Sequence, residues 1–121
     1  MIAPIFPVCA ASPAVQALLG GSMLRLYPFG MQDTVVVYPY AVWQNVNGAP
    51  ENYLAQRPDV DSFTLQVDAY ADTVDEVIAV AAALRDAIEP HAHITRWGGQ
   101  EQDPETKRYR YSFDVDWIVP R

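Results

Sequence analysis

Residues 62–90, SFTLQVDAYADTVDEVIAVAAALRDAIEP, decide the fold because they read as one strand running into one amphipathic helix. Over 62–70, Phe63, Leu65, Val67 and Ala69 alternate with Ser62, Thr64, Gln66, Asp68 and Tyr70. That period of two marks a strand with one face in the core and the other facing solvent or a partner. Thr73 and Glu76 then form a capping box, in which hydroxyl and carboxylate reciprocally satisfy donors of the first helical turn. Asp72 and Asp75 suit the positive helix N-terminus. Val74, Val77, Ile78, Ala81, Leu84 and Ile88 follow the i, i+3, i+4, i+7 spacing of a helix laid on a sheet, and Pro90 ends it. A second stripe, Ala79, Ala82 and Ala83, either admits a closely packed neighbour or reflects the helix propensity of alanine.

Composition bounds what can surround this unit. A chain of 121 residues is the size of one domain, and residues 1–121 are read as one. Half the residues are hydrophobic and 19% are charged, a balance that favours folding over disorder and leaves apolar surface for self-association. Fifteen acids against eight bases give a net charge of −7, which argues against a nucleic-acid reader. Cys9 stands alone, so an intrachain disulfide and a cysteine-rich zinc site are excluded. It reads as a small buried hydrophobe. The N-terminus MIAPIFPVCAASP has no positively charged leader region, and no run approaches the ~20 apolar residues of a membrane span.

In chain order, residues 1–11, with Pro4 and Pro7, predict an extended arm, because each proline restricts itself and its predecessor. Ser12 caps a short helix with Pro13 at its first position and Val15, Leu18 and Leu19 as its apolar stripe, and Gly20-Gly21 stops it. Strands are expected over 22–28 and 34–46, with Pro39 demoting part of the second to an edge or bulge. Residues 47–61, with Gly48, Pro50 and Pro58, predict a long loop carrying Tyr53 and Leu54. A strand over 91–97 and a polar loop over 98–106 precede the last strand. There, over 107–119, Tyr109, Tyr111, Phe113, Val115, Trp117 and Val119 alternate with Arg108, Arg110, Ser112, Asp114, Asp116 and Ile118. At ~3.3 Å per residue this spans ~43 Å, longer than a usual strand, so one end is expected to project beyond the core.

No constellation announces catalysis. His91 and His93 would share a strand face but lack a third metal ligand of matching spacing. The run Lys107-Arg108-Tyr109-Arg110-Tyr111 mixes basic and aromatic residues as single-strand binders do, yet on a strand the two types go to opposite faces. Asp114 and Asp116 share a face without a histidine partner. Phosphate-loop, HExxH and GxSxG motifs are absent. The chain reads as a non-enzyme without cofactor or metal.

The order of short motifs resembles the tail-completion, or tail-terminator, proteins of long-tailed bacteriophages. The resemblance rests on Val15-Gln16-Ala17-Leu18-Leu19-Gly20, Arg25-Leu26-Tyr27-Pro28, Pro39-Tyr40-Ala41-Val42, Leu65-Gln66-Val67-Asp68-Ala69-Tyr70, Ala83-Leu84-Arg85 and Tyr111-Ser112-Phe113-Asp114-Val115. It implies an α+β fold, a single mixed or mostly antiparallel sheet with helices packed on one face. It further implies a homo-oligomeric ring, usually hexameric, in the virion at the tail–neck junction, assembled in the host cytoplasm. Such a ring caps the tail tube protein, joins it to the head–neck connector protein and lets DNA pass without specific binding, with no membrane involved. A neighbouring neck or stopper component is the related alternative. A small metal- or single-strand-binding protein using the histidine pair or the basic strand is the unrelated one.

For a ring, the aromatics without an internal explanation are the expected subunit contacts: Tyr38, Tyr40, Trp43, Tyr53, Leu54, Tyr109 and Tyr111. The acidic excess suggests a lumen lined by Asp103, Glu105, Asp114 and Asp116, because carboxylates repel a passing duplex. The alternative is that these acids keep the outer surface soluble.

Overall fold

The computed structural model describes residues 3–20, 24–30, 37–50, 60–104 and 106–120. Three helices, α1 (Ile5–Ala10), α2 (Pro13–Leu19) and α3 (Val74–Ile88), accompany five strands. The strands are β1 (Leu26–Pro28), β2 (Tyr40–Pro50), β3 (Val60–Ala71), β4 (His93–Gln102) and β5 (Tyr109–Pro120), arranged in the order β1-β2-β3-β5-β4. Only the β1–β2 pair is parallel, and the other three pairs are antiparallel. The result is the mixed sheet of an α+β fold.

The strand-to-helix unit stands as its periodicity implies. In β3, Leu65, Val67 and Ala69 are buried, and they lie opposite Val115, Phe113 and Tyr111 of β5. This apolar face carries α3, whose Val77, Ala81, Leu84 and Ile88 are fully buried in the same core. Thr73 Oγ1 accepts a bond from the Glu76 backbone N–H at 3.2 Å, the first half of the expected capping box. The Ile88 carbonyl accepts from His91 and Ala92 just before the chain turns into β4. One part of the helix reading is corrected. Ile78 is 40% exposed and Val74 only half-buried, whereas Val80 is fully buried and Ala83 nearly so. The cause is that α1 and α2 also pack on α3, which turns the buried arc away from the sheet alone.

The extended arm expected over 1–11 is instead helical over Ile5–Ala10, with Ile5 and Cys9 fully buried. Prolines do not prevent this because Pro4 is the N-cap and Pro7 lies in the first turn, where backbone N–H groups have no helical partner to lose. Gly20, at φ 103°, ends α2 in a conformation that other residues avoid. Arg25 then ties this end of the chain down, donating to the carbonyls of Pro39 at 2.8 Å and Leu18 at 3.1 Å.

The loops shrink as well. β2 runs on to Pro50 and β3 starts at Val60, so the ends of the loop expected over 47–61 are strand. Strand β2 begins only at Tyr40, directly after Pro39, which lacks a ladder donor. Similarly, β4 extends to Gln102 through Gly98 and Gly99, which the sequence suggests are loop. Gly98 is there because β4 runs so close to β5 that a Cβ would collide with the Ser112 carbonyl. Strand β5 is paired to β3 from Tyr109 to Pro120, so its unusual length is matched by a neighbour rather than left as the projecting end expected.

Burial of Cys9 pushes its thiol up from 9.0 to about 12. Below pH 9 the thiol is protonated in both folded and unfolded chains, and its contribution to stability is complete. Above pH 9 the unfolded thiol ionises first, so stability declines until pH reaches about 12. Correspondingly, a thiol-reactive disulfide reagent at pH 8 should label Cys9 only as fast as the protein opens, measured by absorbance with and without denaturant.

Candidate assembly surfaces

The sheet face opposite the helices is polar, and its side chains bind one another. Even-numbered residues of β3 and β5 point to this face, with Asp68 opposite Ser112, Gln66 opposite Asp114 and Thr64 opposite Asp116. Arg96 on β4 grips Asp114 with two bonds of 2.9 and 3.1 Å and reaches Ser112 Oγ at 2.8 Å. Its guanidinium is pushed further toward the charged form, chiefly by the hydrogen bond to Asp114. Thr64 donates to Asp116 at 2.7 Å. Asp68 is 8% exposed although no helix covers it, because Arg110 and the Gln66 amide close over its carboxylate at 3.1–3.3 Å. Burial works against the charge of Arg110, yet Asp68, joined by Tyr70 and Glu101, offsets it, so the net shift favours the cation.

At one end of this face the tyrosines converge. Tyr40 and Tyr70 sit opposite each other in register and stack with centroids 4.9 Å apart. Tyr38 meets Tyr40 edge-on at 5.1 Å. Arg108 lies 4.0 Å above the Tyr38 ring and pairs with Asp72 at 2.8 Å. These groups and the β4–β5 turn line an open cleft of about 320 Å³. Tyr40 is pushed up to about 12, first by burial and then by Tyr38 and Tyr70, so its phenol stays neutral over the physiological range. Tyr70 is raised too, by burial and then by Asp68.

The residues singled out from the sequence fall as follows. Tyr40 and Tyr111 are buried, and Tyr38 and Tyr109 half-buried, so the free exposure expected of these rings is not found. Tyr111 lies in the core beside Trp97, and Tyr40 in the tyrosine stack. Trp43 packs against the core from the helix side, with its indole N–H lacking a partner among the described residues. Tyr53, Leu54 and Glu105 lie outside the described residues. Asp103 is exposed in the β4–β5 turn, where its carboxylate accepts from the Thr106 backbone at 3.4 Å. Asp114 and Asp116 do share the open face, but as hydrogen-bonded rather than bare carboxylates. Arg108 and Arg110 also occupy that side, away from Tyr109 and Tyr111, and both are held by aspartates. His91 and His93 are exposed, and the described residues contain no cluster of three metal-ligating side chains. No described helix is long and apolar enough to cross a membrane.

Sequence reasoning missed the apolar side chains that are exposed. Phe29 (69%) follows β1 and Val37 (60%) precedes β2, while Ile78 and Trp97 are exposed on α3 and on the β4 edge strand, with Arg85 stacked 4.8 Å over the indole. Ile78 belongs to the apolar stripe that the sequence expects to be buried, so no local signal marks its exposure.

No curated protein matches the sequence. Among solved structures, a chain of a virion of a native gene transfer agent particle superposes with a TM-score of 0.76 at 13% identity, over 97% of this chain and 92% of that one. At that identity the likeness establishes the fold. The family model described as tail completion protein gp17 matches residues 3–120, nearly the whole length, and the chain therefore belongs to the tail completion protein gp17 family, structural virion proteins of the bacteriophage tail.

Proposed function

We propose that this protein is the terminator of the tail tube, a homo-oligomer of six copies closed into a ring that caps the tube and joins it to the head–neck connector. Membership of the tail completion family over residues 3–120 carries this reading. Its role is structural rather than catalytic. Two edge strands, β1 and β4, lie at opposite ends of the sheet, with exposed Phe29 just beyond β1 and exposed Trp97 on β4, which suits head-to-tail contacts between subunits. Assembly belongs in the host cytoplasm, ahead of head joining.

In this ring the open sheet face lines the channel. Asp68, Glu101, Asp114 and Asp116 outnumber Arg96, Arg108 and Arg110 on it, and all three arginines already hold carboxylates. Such a wall offers a duplex no free guanidinium, so DNA passes without sticking. Light scattering on the purified protein should return a sixfold multiple of the 13.5 kDa chain. An electron-microscopy reconstruction of that assembly should then place Asp114 and Asp116 on the channel wall. A monomer across the micromolar range overturns the ring, and a ring with this face outward overturns the lumen alone. Binding of the isolated ring to connector but not to tube would identify a neck component instead.

A further inference from the structure

We propose that the tyrosine cleft beside the β4–β5 turn receives one arginine or lysine side chain from a neighbouring virion protein. The cleft, about 320 Å³ and open to solvent, is lined by the rings of Tyr38, Tyr40 and Tyr70 and rimmed by Glu101. Aromatic faces attract cations through their quadrupole, most strongly where water is partly excluded. The protein already seats one guanidinium by this chemistry, since Arg108 lies 4.0 Å over Tyr38 and is fixed by Asp72. The phenols of Tyr40 and Tyr70 keep their protons, so the rings that line the cleft stay neutral.

Charge decides between a cation and an anion. Arg108 and Arg110 line the cleft, but Asp72 and Asp68 occupy them, at 2.8 and 3.1 Å. The Glu101 carboxylate is 3.9 Å from Arg110, a looser contact, and is 76% exposed. An incoming carboxylate would find both guanidiniums occupied and Glu101 repelling it. An incoming guanidinium or ammonium meets aromatic faces and an accessible carboxylate.

Among the described residues, a second copy of this chain is a poor donor. Arg25 binds backbone carbonyls, Arg85 pairs with Asp86 and Glu89, Arg96 is gripped by Asp114, and Lys107 sits in the turn beside the cleft. Arg108 and Arg110 are part of the cleft itself. With a net charge of −7, the protein is complementary to a basic partner rather than to itself. The inference rests on the proposed function only in taking that partner from the virion, because binding by the isolated protein does not require ring closure.

The test is saturation-transfer NMR on the full-length protein with N-acetyl-arginine amide, N-acetyl-glutamate amide and spermidine as probes. The arginine amide should receive saturation at its δ-methylene and the glutamate amide none. Glu101→Gln, at a surface position that tolerates it, should weaken arginine binding about three- to fivefold, the effect of losing one partly screened ion pair. Absence of transfer to the arginine amide overturns the proposal, as does equal transfer to the glutamate amide or unchanged affinity in Glu101→Gln. Saturation of spermidine with a silent arginine amide would mark a polyamine site and overturn it too. Light scattering on the same samples reports the ring separately, so the two readings fail independently.

Discussion

Leu84→Ala should lower the unfolding free energy by about 2–5 kcal/mol, whereas Ile78→Ala, earlier on the same helix, should cost under about 1 kcal/mol. Leu84 is fully buried beneath α3, in one cluster with Ile5, Val15, Leu65 and Phe113. Removing its isobutyl group takes away transfer free energy and leaves a cavity that helices on one side and a sheet on the other cannot fill. Ile78 is 40% exposed, so its truncation returns little area to water. Urea titration of both variants checks the pair. Equal losses would mean that α3 sits rotated from the orientation described, and the accounts of the core and of the exposed Ile78 surface would both fail.

The second large effect is expected at Asp68. Asp68→Ala should cost about 2–3 kcal/mol because Arg110 and the Gln66 amide lose the carboxylate that satisfies them in the middle of the sheet. The upper range for broken buried pairs is not reached, since the Arg110 side chain keeps 37% exposure and recovers some hydration. Arg110→Ala in the Asp68→Ala background should then be milder than Arg110→Ala alone, by about 1 kcal/mol or more. Additive losses in that cycle would show that the ion pair contributes nothing beyond its separate side chains. If the open face lines the channel, Asp68→Ala also frees a guanidinium toward DNA. The assembled variant should then retain a labelled duplex at low salt and release it as salt rises.

Much of this fold is legible locally. The alternation through 62–70 and 109–119, the Thr73 cap and the Pro90 stop are properties of neighbouring residues, and chain geometry converts them directly into a strand, a helix start and a helix end. The lone cysteine read correctly as a buried hydrophobe for the same reason of composition. Where breaker residues contradicted burial, local reading failed. Pro4 and Pro7 argued for an extended arm, but they occupy the cap and first turn of α1, where a missing N–H costs nothing, and Ile5 and Cys9 anchor that turn in the core. Gly98 reads as loop because the need for close approach to β5 exists only once the two strands are paired.

The candidate surfaces were legible as residue types but not as partners. Tyr40 and Tyr111 suggest exposed anchors by residue type, and tertiary packing buries both, Tyr40 in a cross-strand stack with Tyr70 on the open face and Tyr111 against Trp97 in the core. Asp114 and Asp116 were placed on a common face from sequence alone, because a spacing of two guarantees it on any strand. That Arg96 neutralises one and Thr64 binds the other depends on strand order and register. So do the meeting of Arg110 with Asp68 across 42 residues and the stacking of Tyr40 on Tyr70. Local periodicity by itself determined the elements and the core faces of this protein. Only the tertiary structure decided which charges are caged and where the tyrosines close a cleft, because cross-strand neighbours are set by pairings between segments that no single segment encodes.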